Sequence, residues 1–294
     1  MAYSTGPTPP RPGIPNAAVR RPDSGLSARV AGTPAATFTQ NMKESHLRNL
    51  QRMPAPRPAQ HAAEHMFRVA ALMPDGRRST FEHFAPRDLY LEDICARFAR
   101  GTLIATPAGQ VAIEDLRPGD MLRTRDNGDQ MLRWIGSCTF PPLNDDEGTR
   151  TPSSGRAIRI KGDALGEMRP LQDLLVSARF RLLTNHASCA ALFGSPETLA
   201  PALDILDGET ILAVAPPPDL EFFNILLDRH QIISANGLET ESYHPGNFGI
   251  SVMSFQMQSH LRRLFVHLGD NLDGFGNTVR PILKGFEAEV LRVG

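Results

Sequence analysis

A few groups of residues in this chain have the types and spacing that chemistry requires. His61-Ala62-Ala63-Glu64-His65 spells H-x-x-E-H. On a helix its two imidazoles would fall one turn apart on one face and could ligate zinc, with Glu64 as base. The motif closes a proline-rich stretch, and no acidic ligand on a partner helix follows it, so it reads as a chance match. Asp145-Asp146-Glu147 collects three carboxylates in a polar loop. It lacks the spacing of an EF-hand and reads as a solvated turn rather than a calcium site. The three cysteines, Cys95, Cys138 and Cys189, form neither a CxxC nor an even-numbered framework. They are expected to be free thiols, which fits a reducing compartment better than an oxidising one. There is no G-x-x-x-x-G-K-S/T, no G-x-G-x-x-G after a strand and no G-x-S-x-G. The residues ask for no cofactor and no metal ion.

The elements that would position any site are mostly β. Phe98 to Gly136 reads as four short strands separated by three turns. The strands are Thr102 to Thr106, Gln110 to Ile113, Met121 to Arg125 and Gln130 to Ile135, the last carrying the single Trp, Trp134. The turns are Pro107-Ala108-Gly109, Arg117-Pro118-Gly119-Asp120 and Asp126-Asn127-Gly128. Proline presets φ, glycine takes positive φ cheaply, and Asn-Gly suits a type I′ hairpin. Further strands are expected at Arg156 to Ile160, within Leu171 to Leu183, and at Ala190 to Phe193, Leu199 to Leu206, Thr210 to Val214, Leu220 to Leu227 and Gln231 to Ser234. Short strands with frequent turns indicate a mainly β fold built from hairpins.

Four regions are expected. Residues 1–62 form a disordered Pro-rich arm, with too few large apolar residues to repay ordering and a short helical patch at Phe38 to Met53. The arm reads as a tether; its PxPR-type sequence also suits a partner that reads polyproline. Residues 63–94 form a small β-hairpin region, with strands at Met66 to Leu72 and Ser79 to Phe84 around Pro74-Asp75-Gly76. Residues 95–245 form the main β domain. Residues 246–294 form a helical C-terminal extension, because apolar positions recur at helical spacing from Val252 to Leu268.

The chain has 294 residues and a net charge of −1 at pH 7. That near-neutral balance argues against nucleic acid or an anionic membrane as a charge-driven partner. No run of some 18 apolar residues spans a membrane. The first residues lack the basic and apolar segments of a signal peptide, so a cytoplasmic location, or export without an N-terminal signal, is expected. The expected partner is a protein.

The central stretch also resembles a known family. Gly101-Thr102-Leu103-Ile104, then Val111-x-Ile113-Glu114-Asp115-Leu116-x-Pro118-Gly119-Asp120, then Asp126-x-Gly128 and Trp134-Ile135-Gly136, is similar to the opening of a Hint (hedgehog/intein) domain, as found in bacterial Hint-domain proteins. Leu175 to Phe180 stands where that family has a Thr/Ser-x-x-His block. Asp228-Arg229-His230 before Ala235-Asn236-Gly237 stands where it has its last His. The resemblance covers roughly residues 95 to 245. It implies a fold of curved strands in two related halves, with the first residue and the terminal strand meeting at one cleft.

The resemblance implies a chemistry too. A Cys or Ser at the first position attacks the carbonyl just before it, and the His block protonates the leaving nitrogen. The family opening Cys-Phe-x-x-Gly-Thr is matched by Phe98-Ala99-Arg100-Gly101-Thr102, but the first residue is Arg97, which offers no nucleophile. Cys95 lies two residues upstream. Ser177 is present in the His block, yet Phe180 replaces the His; His186 lies further on. His230 is present with Asp228 nearby, although a histidine in a β segment is often a hydrogen-bonded core residue. Splicing inteins end in His-Asn; here Glu241-Ser242 stands at that place, so no splicing is expected. The expectation is a Hint fold that has lost self-cleavage and serves as a structural or interaction module. The alternative is cleavage before Cys95 by an N–S acyl shift, with Ser177 and His230 assisting.

Overall fold

The computed structural model describes residues 64–86, 88–139, 157–217, 219–245, 253–269 and 275–288. The proline-rich arm with its helical patch, most of the H-x-x-E-H motif and the acidic loop at 145–147 lie outside them.

β1 (Glu64–Leu72) and β2 (Arg78–Pro86) form the first hairpin. Alternation puts Phe67, Val69 and Ala71 inward and leaves Arg68 exposed. Glu64 and His65 are neighbours on this strand and point to opposite faces, so the helical zinc geometry does not arise. Helix α1 (Leu89–Cys95) follows, in a part of the hairpin region where no helix was expected. Its signal is the cap: the Asp88 carboxylate accepts the Tyr90 and Leu91 N–H groups at 2.9 and 3.2 Å. Leu91, Ile94 and Cys95 then form its buried face.

The next five strands are β3 (Phe98–Ala99), β4 (Leu103–Thr106), β5 (Gly109–Ala112), β6 (Met121–Arg123) and β7 (Asp129–Thr139). They reproduce the four-strand pattern read from the sequence, with β3 ahead of it. β8 (Ala157–Ile160), β9 (Leu174–Ser177) and β10 (Arg181–Asn185) come after. Helix α2 (Ala187–Phe193) takes the place of the strand expected at Ala190 to Phe193. The His186 ring caps its start by accepting the Ser188 N–H, Gly194 closes it at φ 72°, and its alanines favour helix. β11 (Glu197–Pro201), β12 (Ile211–Val214), β13 (Glu221–Leu227), β14 (Ile232–Ala235) and β15 (Leu238–Glu241) complete the strands. Helix α3 (Phe255–Leu264) is shorter than the expected span because Ser254 caps it, and a 3-10 turn (Val266–Leu268) extends it.

Among the described residues the strands make two antiparallel sheets. One has the order β12-β8-β9-β3-β13-β7-β1-β2, with β6 on β7; the other is β11-β10-β15-β14-β4-β5. β13 is buried along nearly its whole length, as suits a strand covered on both faces. The first hairpin is part of the larger sheet, since β1 pairs with β7 from Arg68 opposite Ser137 to Ala71 opposite Trp134. α3 also enters the core. Leu261, Leu264 and Phe265 pack with Trp134, Phe222 and Tyr243, and the Trp134 indole donates to the Leu264 carbonyl at 2.7 Å.

Candidate functional site

The end of α1, the start of β3 and the end of β15 converge on one buried cluster of charge. The Arg97 backbone is pinned from two sides. Its N–H donates to the Phe223 carbonyl on β13 at 2.9 Å, and its carbonyl accepts the Ser177 N–H from β9 at 3.0 Å. Its side chain is wholly buried. Arg97 Nη1 lies 2.5 Å from Glu241 Oε1, and Arg181 Nε on β10 lies 2.6 Å from the same oxygen. His230 Nε2 meets the other carboxylate oxygen at 3.0 Å. Because His230 Nδ1 accepts the Val279 N–H at 3.1 Å, the hydrogen-bond pattern assigns the ring proton to Nε2, which donates to Glu241.

The electrostatics follow from this packing. Burial acts to raise the Glu241 carboxyl, but Arg181, Arg97 and His230 outweigh it and hold the group below the usual carboxylate range. Burial lowers Arg181 against the pull of Glu241. Asp93, 3.9 Å from Arg97 Nη2, is pushed up by burial. Arg97 Nε and Nη2, Asp93 Oδ1 and Ser177 Oγ are buried without a hydrogen-bond partner. The cluster therefore has one carboxylate whose two oxygens are engaged by two guanidiniums and an imidazole. It holds charge in place, with the Ser177 hydroxyl beside it unpartnered.

A family model for the Hint domain matches residues 95–247, just over half of the chain. The chain belongs to the Hint domain family. The solution structure of a bacterial intein-like domain from Clostridium thermocellum is similar over 51% of this chain and 99% of that one, at 11% identity and a TM-score of 0.34. The search of curated proteins found no match.

Within this Hint domain, Arg97, which the resemblance of the sequence puts at the first-residue position, meets Glu241 at the end of β15. Phe180, which the resemblance of the sequence puts at the block-histidine position, is buried and packs edge-on against Phe98 with ring centroids 5.6 Å apart. His186 is committed to capping α2. Ser177 is brought to Arg97 through the backbone, with its hydroxyl unpartnered. His230 is brought to Arg97 through Glu241. Asp228 turns away from His230 and clasps Arg133 at 2.6 and 3.1 Å.

Cys95 lies elsewhere. Its thiol sits in the apolar cluster with Trp134, Phe222 and Tyr243, against Gly136, where an added Cβ would come within 2.9 Å of the sulfur. Burial pushes that thiol far up. Among the described residues no hydrogen bond or ion pair ties it to Ser177 or His230. The carbonyl before it, that of Ile94, accepts the Asn224 side-chain N–H at 2.9 Å. Sequence reasoning passed over Arg181, Glu241 as a partner, and Asn224. Their one signal was polarity inside otherwise apolar segments, which marks a buried group in need of a partner. No group of three or more metal-ligating side chains occurs among the described residues.

Proposed function

We propose that this Hint domain no longer cuts its own chain and serves as a structural or interaction module. The observation that supports the reading is that Arg97, which the resemblance puts at the first-residue position, is buried and held at 2.5 Å by Glu241. Cleavage there requires a thiol or hydroxyl to attack the preceding carbonyl, and a proton donor for the leaving nitrogen. A guanidinium supplies no nucleophile, and Phe180 supplies no proton.

The competing reading places the cut before Cys95. In that reaction the Cys95 sulfur bonds to the Ile94 carbonyl carbon, the C–N bond breaks, and the nitrogen takes up a proton. Asn224 favours it, because its N–H is aimed at the oxygen that would gain negative charge. Against it stands a thiol that burial in an apolar core keeps protonated, with no base bonded to it among the described residues, and the thiolate is the attacking form. The intact mass of freshly purified protein, before and after incubation with dithiothreitol at neutral pH, separates the two. A single unchanged mass is the expected result. A fragment beginning at Cys95, abolished by Cys95→Ala, would overturn it.

A further inference from the structure

The first half of α3 is tied to the first hairpin through a pair of histidines. His83 Nε2, on β2, lies 2.9 Å from His260 Nδ1, on α3. We propose that this pair is an acid-sensitive latch: when both rings carry protons the bond between them is lost, and the first half of α3 loosens from β2.

The bond itself sets the chemistry. A hydrogen bond between two imidazole nitrogens needs a proton on one and a lone pair on the other. Two imidazoliums present only donors to each other, and their charges repel. Histidine changes its charge between about pH 5 and 8, so the change falls in a mild range.

The surroundings favour the neutral rings. His83 is on the inward face of β2 and nearly buried. The charges acting on it are those of His260 and of Arg263, three residues further along α3. Both oppose a positive ring, and burial opposes it more, so His83 is held below its ordinary value of 6.5. The carboxylates on the neighbouring strands and helix are directed elsewhere. Glu92 of α1 stands 4.0 Å from His65, the inward histidine of β1. Glu82, on the outward face of β2, accepts from Arg68 at 3.4 Å.

The two halves of α3 are held unequally. Leu261 and Leu264 are buried, and the Leu264 carbonyl takes the Trp134 indole N–H. Ahead of them Phe255 and Gln256 are exposed, and Met253 and Met257 are only partly buried against the apolar cluster that includes Phe67 and Leu91. Among the described residues, His260 carries the hydrogen bond from this half to another element. Loosening it would uncover Met253, Met257 and the cluster beneath them while the second half stays docked, a local opening rather than unfolding. The proposal does not depend on whether the chain cuts itself.

The test uses the full chain and amide hydrogen exchange, compared as protection factors at about pH 7.5 and about pH 5. The Gln258 N–H, bonded to the Ser254 carbonyl at 3.0 Å, reports the first half of α3. The Tyr243 N–H, bonded to the Ile225 carbonyl at 2.7 Å, reports the core. Protection at Gln258 is expected to fall about tenfold or more relative to Tyr243 on acidification, the factor that one unit of pKa difference supplies. The ring resonances of His83 and His260 should titrate in two separated steps, as a coupled pair does. His83→Gln and His260→Gln each leave a side-chain oxygen that can accept from a charged imidazole. Each variant, its fold checked by Trp134 fluorescence, is expected to abolish most of the relative fall; either one suffices if the other does not fold. No relative fall in the native chain, an equal fall at Tyr243, or a relative fall that persists in the variants would overturn the proposal.

Discussion

The guanidinium of Arg97 and the carboxylate of Glu241 lie 2.5 Å apart with neither side chain exposed, although 144 positions separate them in the chain. Such a pair fixes where β3 and β15 meet. Taking away one member strands the other in low dielectric, and breaking a buried pair costs about 3–5 kcal/mol. Arg97→Met is therefore expected to lower the unfolding free energy in urea by that order, with a lower midpoint, followed by Trp134 fluorescence. Glu241→Gln should cost at least as much, because Arg181 and His230 also lose the charge. Combined, the two changes should cost less than their sum, since the second removes a partner already lost. Strict additivity would mean that the pair contributes nothing to the fold.

The same groups set a pH dependence. Glu241 is depressed, so its stabilising contribution is complete above the ordinary carboxylate pKa and is lost as pH falls through its lower folded value. The histidines add to that loss. His83, His244 and His267 are all lowered, each chiefly by burial, so the unfolded chain takes up protons first. For His267 the loss runs from pH 6.5 down to about 4, and amounts to at most about 3 kcal/mol. Asp93, raised by burial, works in the opposite direction between the ordinary carboxylate pKa and its higher folded value. Stability should thus fall steadily on acidification below pH 6.5. His267→Gln should flatten that slope; an identical slope in the variant would remove His267 from the account.

Much of the architecture was legible in the sequence, for reasons that are local. The turns at Gly109, Gly119 and Gly128 and the alternation around them fix their hairpins without help from distant residues. Helix α2 was not legible as such, because a four-residue apolar run does not tell strand from helix, and the deciding residues, His186 and Gly194, flank it. α1 was missed although its cap, Asp88, was in plain view. The site was legible only in its subtractions. Arg97 where the resemblance implies a nucleophile, and Phe180 where it implies an acid, are departures from the family pattern that the sequence alone suggests. That Arg97 is answered by Glu241, and Glu241 by Arg181 and His230, depends on which strands pair across the two sheets, and no spacing records it.

The turn between β14 and β15 gives a more local test. Gly237 has φ 79°, and a Cβ there would come within 2.9 Å of the Met168 carbonyl oxygen. The left-handed backbone alone costs a residue with a Cβ about 1–2 kcal/mol, and the contact is with backbone, which yields little. Its neighbour Asn236 ties the turn to β4 by accepting the Leu103 N–H on its side chain at 2.7 Å. Gly237→Ala is expected to lower the melting temperature clearly. Asn236→Gly, which keeps the backbone free but removes the side-chain bond, should cost less. The reverse order would place the importance of this turn in the side chain.

The thiols can be counted directly. Cys95, Cys138 and Cys189 are all buried and free. Burial raises both Cys95 and Cys138, which leaves little thiolate at neutral pH. A thiol reagent such as DTNB should therefore find essentially none of the three in the native chain and all three after unfolding. Fast labelling of Cys95 under native conditions would reveal an accessible nucleophile and weaken the case for a domain that does not cut.

The C-terminal extension offers the last test, because Trp134 reports on it. The indole donates to the Leu264 carbonyl at 2.7 Å, and Phe265 packs against it with ring centroids 5.0 Å apart. Phe265 also stacks on Tyr243 at 5.5 Å. Leu261, Leu264 and Phe265 are all buried, and side chains of that size contribute roughly 1.5–3 kcal/mol each when taken out of water. Ending the chain at residue 245 would uncover Trp134 and also remove Val279, whose N–H holds His230 Nδ1. The truncated chain is expected to show red-shifted tryptophan emission and to lose roughly 5 kcal/mol or more of stability, or to fail to accumulate in soluble form. A truncated chain with native emission and an unchanged urea midpoint would instead show that residues 64–245 are complete without the extension. In that case α3 would be an attachment to the Hint domain rather than part of its core.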